Sequence, residues 1–99
     1  MVQVKWTLLA VDDLRSIFDY IARDSKQYAK IQVIRLRART KILKTYPFSG
    51  KLVPEYNDEN YRELDEGNYR IIYKIVNPKR VDVLTIHHAA RDLNRRNLE

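Results

Sequence analysis

Apolar and polar positions alternate most clearly between Tyr61 and His88, where three runs rich in Val, Ile, Thr and Tyr are separated by Asp65-Glu66-Gly67-Asn68 and Asn77-Pro78-Lys79-Arg80. A period of two bounded by turn residues predicts strands, so this third of the chain reads as a three-stranded antiparallel meander. In the middle run Tyr69, Ile71, Tyr73 and Ile75 share one face, and Arg70, Ile72, Lys74 and Val76 share the other. The first face is largely apolar. The second mixes aliphatics with cations, as suits a sheet whose second side is only partly covered by its own chain. Gly67 takes positive φ without steric cost, which suits a short hairpin with a type I turn closed by a left-handed glycine. Pro78 presets the second position of the other turn, with Asn77 able to hydrogen-bond back onto the backbone as the first.

The first half of the chain changes period. Val2, Val4 and Trp6 alternate with Gln3 and Lys5, which predicts a short strand joining the sheet at an edge or pairing with the meander. Ala10, Leu14, Ile17, Phe18 and Ile21 then recur at helical spacing, with Thr7 as N-cap and Asp12 and Asp13 near the positive end of the dipole. This predicts a helix from about Leu8 to Arg23. Ser25 suits the cap of a second helix, Lys26 to Thr45, and the short Asp24-Ser25 link predicts a helical hairpin. Along that helix Ala29, Val33, Leu36, Thr40 and Leu43 form one seam, and Ile31, Ile34, Ala38 and Ile42 an adjacent stripe. Two apolar stripes predict packing on two sides, against the first helix and the sheet. Pro47 ends the helix at Tyr46, because the residue before proline is pushed out of the α region. Phe48 to Asn60 reads as a surface connection, and Asn94 to Glu99 as a charged tail. The expected architecture is α+β: an N-terminal strand, a helical hairpin on one face of a small antiparallel sheet, then the meander, all in one domain spanning residues 1–99.

Composition narrows the function classes. The 99 residues include no cysteine, which removes disulfides, thiolate chemistry and cysteine zinc sites, and fits a reducing cytosol. No stretch approaches the roughly 20 apolar residues that span a bilayer, so no membrane is expected and a cytoplasmic protein is. The formal charge is +6, and no acidic residue occurs between Asp24 and Glu55, which favours an acidic partner. That basic run is either a solvated helix face whose long stems cover apolar surface or an electrostatic footprint for phosphate or an acidic peptide.

Few residues could carry chemistry. His87 and His88 are adjacent in a strand and point to opposite faces, so they do not share a metal; no metal and no cofactor is expected. One imidazole should be buried or hydrogen-bonded and the other should sit at the mouth of the sheet, where either could act as a general base. Arg62, Arg70 and Arg91 could converge on one side and hold a phosphate or carboxylate. Alternatively, Arg62 or Arg70 pairs with Glu63, Asp65 or Asp82 across strands. Phosphate-binding glycine loops, Ser/His/Asp motifs and HExxH are missing, so most enzyme classes lose support.

The segments Tyr61-Arg62-Glu63-Leu64, Gly67 to Ile75 and Val81 to Leu93, with Val4-Lys5-Trp6-Thr7, Ala10 to Ile21 and Pro47-Phe48-Ser49-Gly50, together resemble the RelE/ParE toxin superfamily of type II toxin-antitoxin modules. The likeness covers nearly the whole chain. It implies a growth-inhibiting toxin, of the kind found in plasmid-stabilising modules, neutralised by an acidic, partly disordered antitoxin that folds along it; Arg35, Arg39 and Lys74 are the residues expected to meet that partner. RelE-like members cleave messenger RNA on the ribosome, which needs a proton acceptor, cations around the phosphorane and an acid for the leaving oxygen. Here Arg70 and Arg91 match that branch's arginines, with help available from His87 or Lys51. Its lysine positions instead fall around Tyr61 and Glu63, and no Tyr or His follows Arg91. ParE-like members poison DNA gyrase, and their ending is similar to His88-Ala89-Ala90-Arg91-Asp92-Leu93. The resemblance therefore favours a gyrase-directed toxin that is not an enzyme, with Arg62, Arg70, His88, Arg91, Arg95 and Arg96 facing the target. The alternatives are a metal-independent ribonuclease acting on ribosome-bound mRNA, and a non-toxic binding module.

Overall fold

The computed structural model describes residues 1–90. Strand β1 (Gln3–Trp6) leads into helix α1 (Leu8–Ala22) and helix α2 (Lys26–Arg39), which tightens into a 3₁₀ turn (Thr40–Lys44). Strands β2 (Lys51–Leu52), β3 (Tyr61–Glu66), β4 (Tyr69–Asn77) and β5 (Arg80–His88) follow. The five strands form one sheet in the order β1-β5-β4-β3-β2.

The expected caps are present. The Thr7 hydroxyl accepts from the Ala10 N–H at 3.1 Å, and the Ser25 hydroxyl accepts from the Tyr28 N–H at 3.1 Å, each satisfying a donor that a helix start leaves without a partner. Asn77 Oδ1 accepts from the Lys79 N–H at 2.8 Å across the Pro78 turn. The other hairpin differs from the type I expectation. Its loop is only Gly67-Asn68, since Glu66 pairs with Tyr69, and the positive φ of 58° falls on the first loop residue while Asn68 keeps a negative one. That is the glycine-first pattern of a II′ turn, whose twist matches the strands it joins.

One pairing departs from the antiparallel expectation. β1 lies at the sheet edge and runs parallel to β5, with Val4 beside Val81 and Trp6 beside Val83. The helical hairpin carries the chain off the sheet immediately after β1, so β1 need not reverse against the strand it pairs with. The 3₁₀ turn and the two-residue β2, which pairs antiparallel with β3, are also additions to the expected elements.

The helices cover one face only. Ala10, Leu14, Leu36 and Leu43 pack there on Leu64, Ile71, Tyr73, Ile75, Val81, Val83 and Ile86, with Val4, Trp6 and Tyr69 at the margin. A smaller cluster of Val53, Ile72 and Leu84, flanked by Tyr56 and Tyr61, sits on the opposite face. The connection between β2 and β3 is therefore not purely surface: Val53 and Tyr56 fold it back over the sheet. The first α2 seam is internal as expected, Val33 being half-buried and the others buried. The second is not. Ile31, Ile34, Ala38 and Ile42 face solvent, with Ile34 65% exposed, because α1 and the sheet both meet α2 on its first seam.

Two local constraints set the remaining geometry. The buried Tyr73 hydroxyl donates to the Pro47 carbonyl at 2.7 Å and accepts from the Gly50 N–H at 2.9 Å, tying the loop after the 3₁₀ turn to the central strand. Gly50 is required there, since a Cβ would lie 2.6 Å from both the Glu63 carbonyl and the Tyr73 hydroxyl. In β5 the register slips: Val83 pairs with Tyr73 but Thr85 with Ile72, leaving Leu84 as an extra residue. The Thr7 hydroxyl donates to the Leu84 carbonyl at 2.9 Å, and the Asp13 carboxylate accepts from the Thr85 hydroxyl and, at 3.0 Å, from the Ile86 N–H. Asp13→Ala should lower the unfolding free energy by about 1–3 kcal/mol in a urea titration, because those donors lose their acceptor, whereas the exposed neighbour Asp12→Ala should change it by less than about 0.5 kcal/mol.

Candidate functional site

The face of the sheet opposite the helices gathers the charged side chains. β4 presents Arg70 and β5 presents His87 directly beside it, while β3 brings Glu63 and Asp65 from the other flank. Arg70 is gripped from two sides. Its Nη1 and Nη2 each lie 2.7 Å from an oxygen of Glu55, and its Nε lies 2.7 Å from Glu63 Oε2. The guanidinium is only 12% exposed and Glu63 only 3%. On β2, Lys51 Nζ is 3.0 Å from Asp65 and 3.7 Å from Glu63.

The electrostatics follow from these contacts. Hydrogen bonding to Arg70 holds the Glu55 carboxyl below its ordinary value. The Asp65 hydrogen bond raises Lys51, and the Glu55 and Glu63 carboxylates raise Arg70 despite its partial burial. Three carboxylates surround two cations, so the cluster carries no surplus positive charge with which to hold a phosphate. His87, at 2% exposed, lies beneath the surface of this cluster.

The other expected site residues are dispersed. Arg62 is on the helix-side face of β3, so it does not converge with Arg70; its guanidinium lies 5.3 Å from the Phe48 ring centroid and donates to the Gly50 and Glu59 carbonyls. The pleat explains this, because Arg62 is opposite Tyr73 and Arg70 is opposite Asp65. His88 is half-buried on the helix side, edge-on to Tyr69 at 5.5 Å, with Nδ1 accepting from the Ala90 N–H. It lines a cavity of about 680 Å³ between α1 and the ends of β4 and β5, with Asp13, Ile17, Tyr20 and Arg23. The expected split of the two histidines between faces is what the strand produces. Lys74 sits on the charged face with Nζ 5.2 Å from the Tyr61 ring centroid, Arg39 donates to the Asp65 carbonyl at 3.1 Å, and Arg35 is exposed on α2. Lys74 and Arg35 therefore occupy opposite sides of the molecule. Arg91, Arg95 and Arg96 lie outside the described residues. Among the described residues no three His, Asp or Glu side chains form a group that could hold a metal ion, and no helix is long and apolar enough to cross a membrane.

Sequence reasoning missed Glu55, which sits in a stretch read as solvent connection. The available signal was Val53 and Tyr56 on either side of it, two apolar residues that needed cover and drew the carboxylate onto the sheet.

A strand, a helical hairpin and a meander joined to that first strand is the fold of RelE/ParE toxins. The structure aligns with the chromosomal ParDE toxin-antitoxin system of P. aeruginosa at a TM-score of 0.72 and 23% identity, over 89% of this chain and 96% of that one. It also aligns with a YoeB/ParE toxin from Agrobacterium tumefaciens at a TM-score of 0.59 and 17% identity, over 88% and 98%. In sequence, the toxin RelE2 of Caulobacter vibrioides is 35% identical over 91 residues, which are 92% of this chain and 99% of that protein. The family described as the ParE toxin of the type II toxin-antitoxin system parDE matches residues 4–93. The chain belongs to this ParE toxin family.

The Arg70 grip makes two expectations. Arg70→Ala leaves the buried Glu63 with only Lys51, at 3.7 Å, and should cost about 3 kcal/mol of stability, read from the shift in a denaturant midpoint. Because the folded Glu55 carboxyl titrates below its ordinary 4.5, its contribution to stability is present above that pH and is lost as pH falls through the lowered folded value. Glu55→Gln should therefore flatten the loss of stability on acidification, measured as melting temperature against pH.

Proposed function

We propose that this toxin arrests growth by blocking DNA gyrase and is held silent by an acidic antitoxin. The observation that carries the first half is the state of Arg70. A ribonuclease that attacks through a ribose hydroxyl needs unspent positive charge around the phosphorane and a proton acceptor within reach. Here the guanidinium is occupied by two carboxylates, Lys51 is paired with Asp65, and His87 is buried. A gyrase poison needs a shaped binding surface instead, which this arrangement does not oppose. The family match supports the same reading. The second half is supported by the exposed α2 stripe of Ile31, Ile34, Ala38 and Ile42, bordered by Lys30, Arg35 and Lys41, a surface suited to the apolar face of an acidic amphipathic segment. The P. aeruginosa ParDE system and the RelBE2 toxin-antitoxin complex of Mycobacterium tuberculosis, similar at a TM-score of 0.55, carry partners in their own descriptions, and a partner is proposed for this chain by analogy. A ribosome-dependent ribonuclease stays as the second reading because the Caulobacter relative bears the RelE name.

Purified toxin should inhibit supercoiling by gyrase, and its expression should induce the DNA damage response with transcripts intact. Unaffected supercoiling together with codon-linked mRNA cuts would replace this reading with the second. For the antitoxin surface, Ile34→Glu should weaken binding of the cognate antitoxin by about tenfold or more, since it removes an exposed aliphatic that the partner would cover and puts a negative charge against an acidic partner. The measurement is calorimetric titration, backed by growth rescue on co-expression.

A further inference from the structure

Residues 46–48 present two large aromatic rings to solvent, Tyr46 at 64% exposed and Phe48 at 55%. Tyr20 and Tyr28 are as exposed elsewhere on the chain, so exposure alone marks nothing; what sets Tyr46 and Phe48 apart is that they stand two residues apart on one loop. They are set in a cationic surround. The Arg62 guanidinium is 5.3 Å from the Phe48 ring centroid, oriented by its bonds to the Gly50 and Glu59 carbonyls. Arg39 adds a second cation on the helix side, its Nε donating to the Asp65 carbonyl at 3.1 Å, while the Tyr73 hydroxyl holds Pro47 and Gly50. Lys41 and Lys44 on the 3₁₀ turn are exposed and lead directly into Tyr46, whose N–H bonds back to the Ile42 carbonyl at 2.8 Å. The sequence carries no carboxylate from Ser25 to Pro54.

The loop is also held still. Tyr73 anchors it from below through two hydrogen bonds, and Ser49 N–H donates to the Tyr46 carbonyl at 3.1 Å. A rigid platform loses little entropy when a flat ligand stacks on it. Exposed aromatic faces for stacking, with cations spaced for a phosphate backbone, are what unpaired nucleic acid requires, since every base has a π-face and every linkage a negative charge. An acidic peptide would meet the cations and cover the rings with apolar side chains, but bases present flat faces alternating with backbone charges, which matches rings and cations interleaved along one loop more closely.

We propose that Tyr46, Phe48, Arg39 and Arg62, with Lys44 beside them, form a binding site for single-stranded DNA, the bases stacking on the two rings and the phosphates meeting the cations. The choice of DNA over RNA rests on the gyrase reading; the site itself does not. The site is separate from the Arg70 cluster, because Arg62 and Arg70 are on opposite faces of the sheet.

Fluorescence anisotropy with a labelled single-stranded DNA of mixed sequence tests it on the full-length toxin. Phe48→Ala and Tyr46→Ala should each weaken binding by about fivefold or more. Both rings are exposed, so thermal melts should show the variants folded. Arg35→Ala removes the same charge from α2 but should change affinity by less than about twofold, which separates a local site from diffuse attraction to a basic protein. Wild-type affinity in both aromatic variants, equal or tighter binding to duplex DNA, or tighter binding to RNA of the same sequence would each overturn the proposal. The supercoiling assay keeps the two readings apart. Local DNA binding by a toxin that leaves gyrase active would sink the gyrase reading alone; gyrase inhibition by a toxin that binds no single-stranded DNA would sink this one alone.

Discussion

The side chains that close the break in β5 determine which face each later residue of that strand occupies. Without the extra residue at Leu84, continuing the pairing from Tyr73 with Val83 would set Ile86 beside Arg70 and His87 against Tyr69. The bulge moves each by one position, so His87 enters the charged face and His88 meets Tyr69 under α1. A bulge leaves backbone groups off the ladder, and in a central strand these need partners from elsewhere. α1 supplies them: Thr7 takes the Leu84 carbonyl and Asp13 takes the Ile86 N–H. Thr7 caps the helix and Asp13, expected near the positive end of the dipole, lies instead in its second turn, so the contacts that satisfy the bulge also fix where α1 lies on the sheet. Helix placement and histidine orientation are one constraint.

That constraint puts His87 on the charged face; the rest of the face is set from the other side of β4. Arg70 has two carboxylate partners because β3 brings Glu63 beside it and the returning connection brings Glu55 over it. A largely buried guanidinium between two carboxylates has its desolvation offset only while all three remain in place. The arrangement suits permanence more than exchange. A substrate phosphate would have to displace Glu55 from a bidentate contact of 2.7 Å and then sit next to a second, buried carboxylate. The chemistry that the sequence made plausible at Arg70 is therefore opposed by its neighbours, and a role through surface shape gains by comparison.

Much of the scaffold was legible from residues alone, for reasons that are local. Thr7 and Ser25 announce helix starts, Asn77-Pro78 announces a turn, and the alternation from Tyr69 to Val76 assigns faces, because each signal acts over a few neighbouring positions. What escaped depends on contacts distant in sequence. The direction in which β1 pairs with β5 leaves no mark on the alternation of Val2, Val4 and Trp6, since parallel and antiparallel edges have the same period. Nothing in the spacing of Ile31, Ile34, Ala38 and Ile42 distinguishes a stripe packed inside from one left facing solvent. At the candidate site the pleat separated His87 from His88 correctly, but the same rule applied to Arg62 and Arg70 needed the β3–β4 register, which a turn one residue different would have reversed.

The exposed surfaces of the helical side are continuous. Ile42 ends the apolar stripe of α2 within the 3₁₀ turn, and Lys44, two residues on, opens into Tyr46 and Phe48. Lys41 and Lys44 therefore border both the stripe and the aromatic loop, and the positive charge they supply is shared between them. An acidic segment lying along α2 as far as Ile42 would neutralise cations that a phosphate backbone at Phe48 also requires. The two occupants would compete through charge even if their contacts never overlapped, because a surface with one stock of lysines cannot attract two polyanions at full strength. On the two proposed sites, an antitoxin that reached the 3₁₀ turn would weaken DNA binding through charge alone, with no change in the fold.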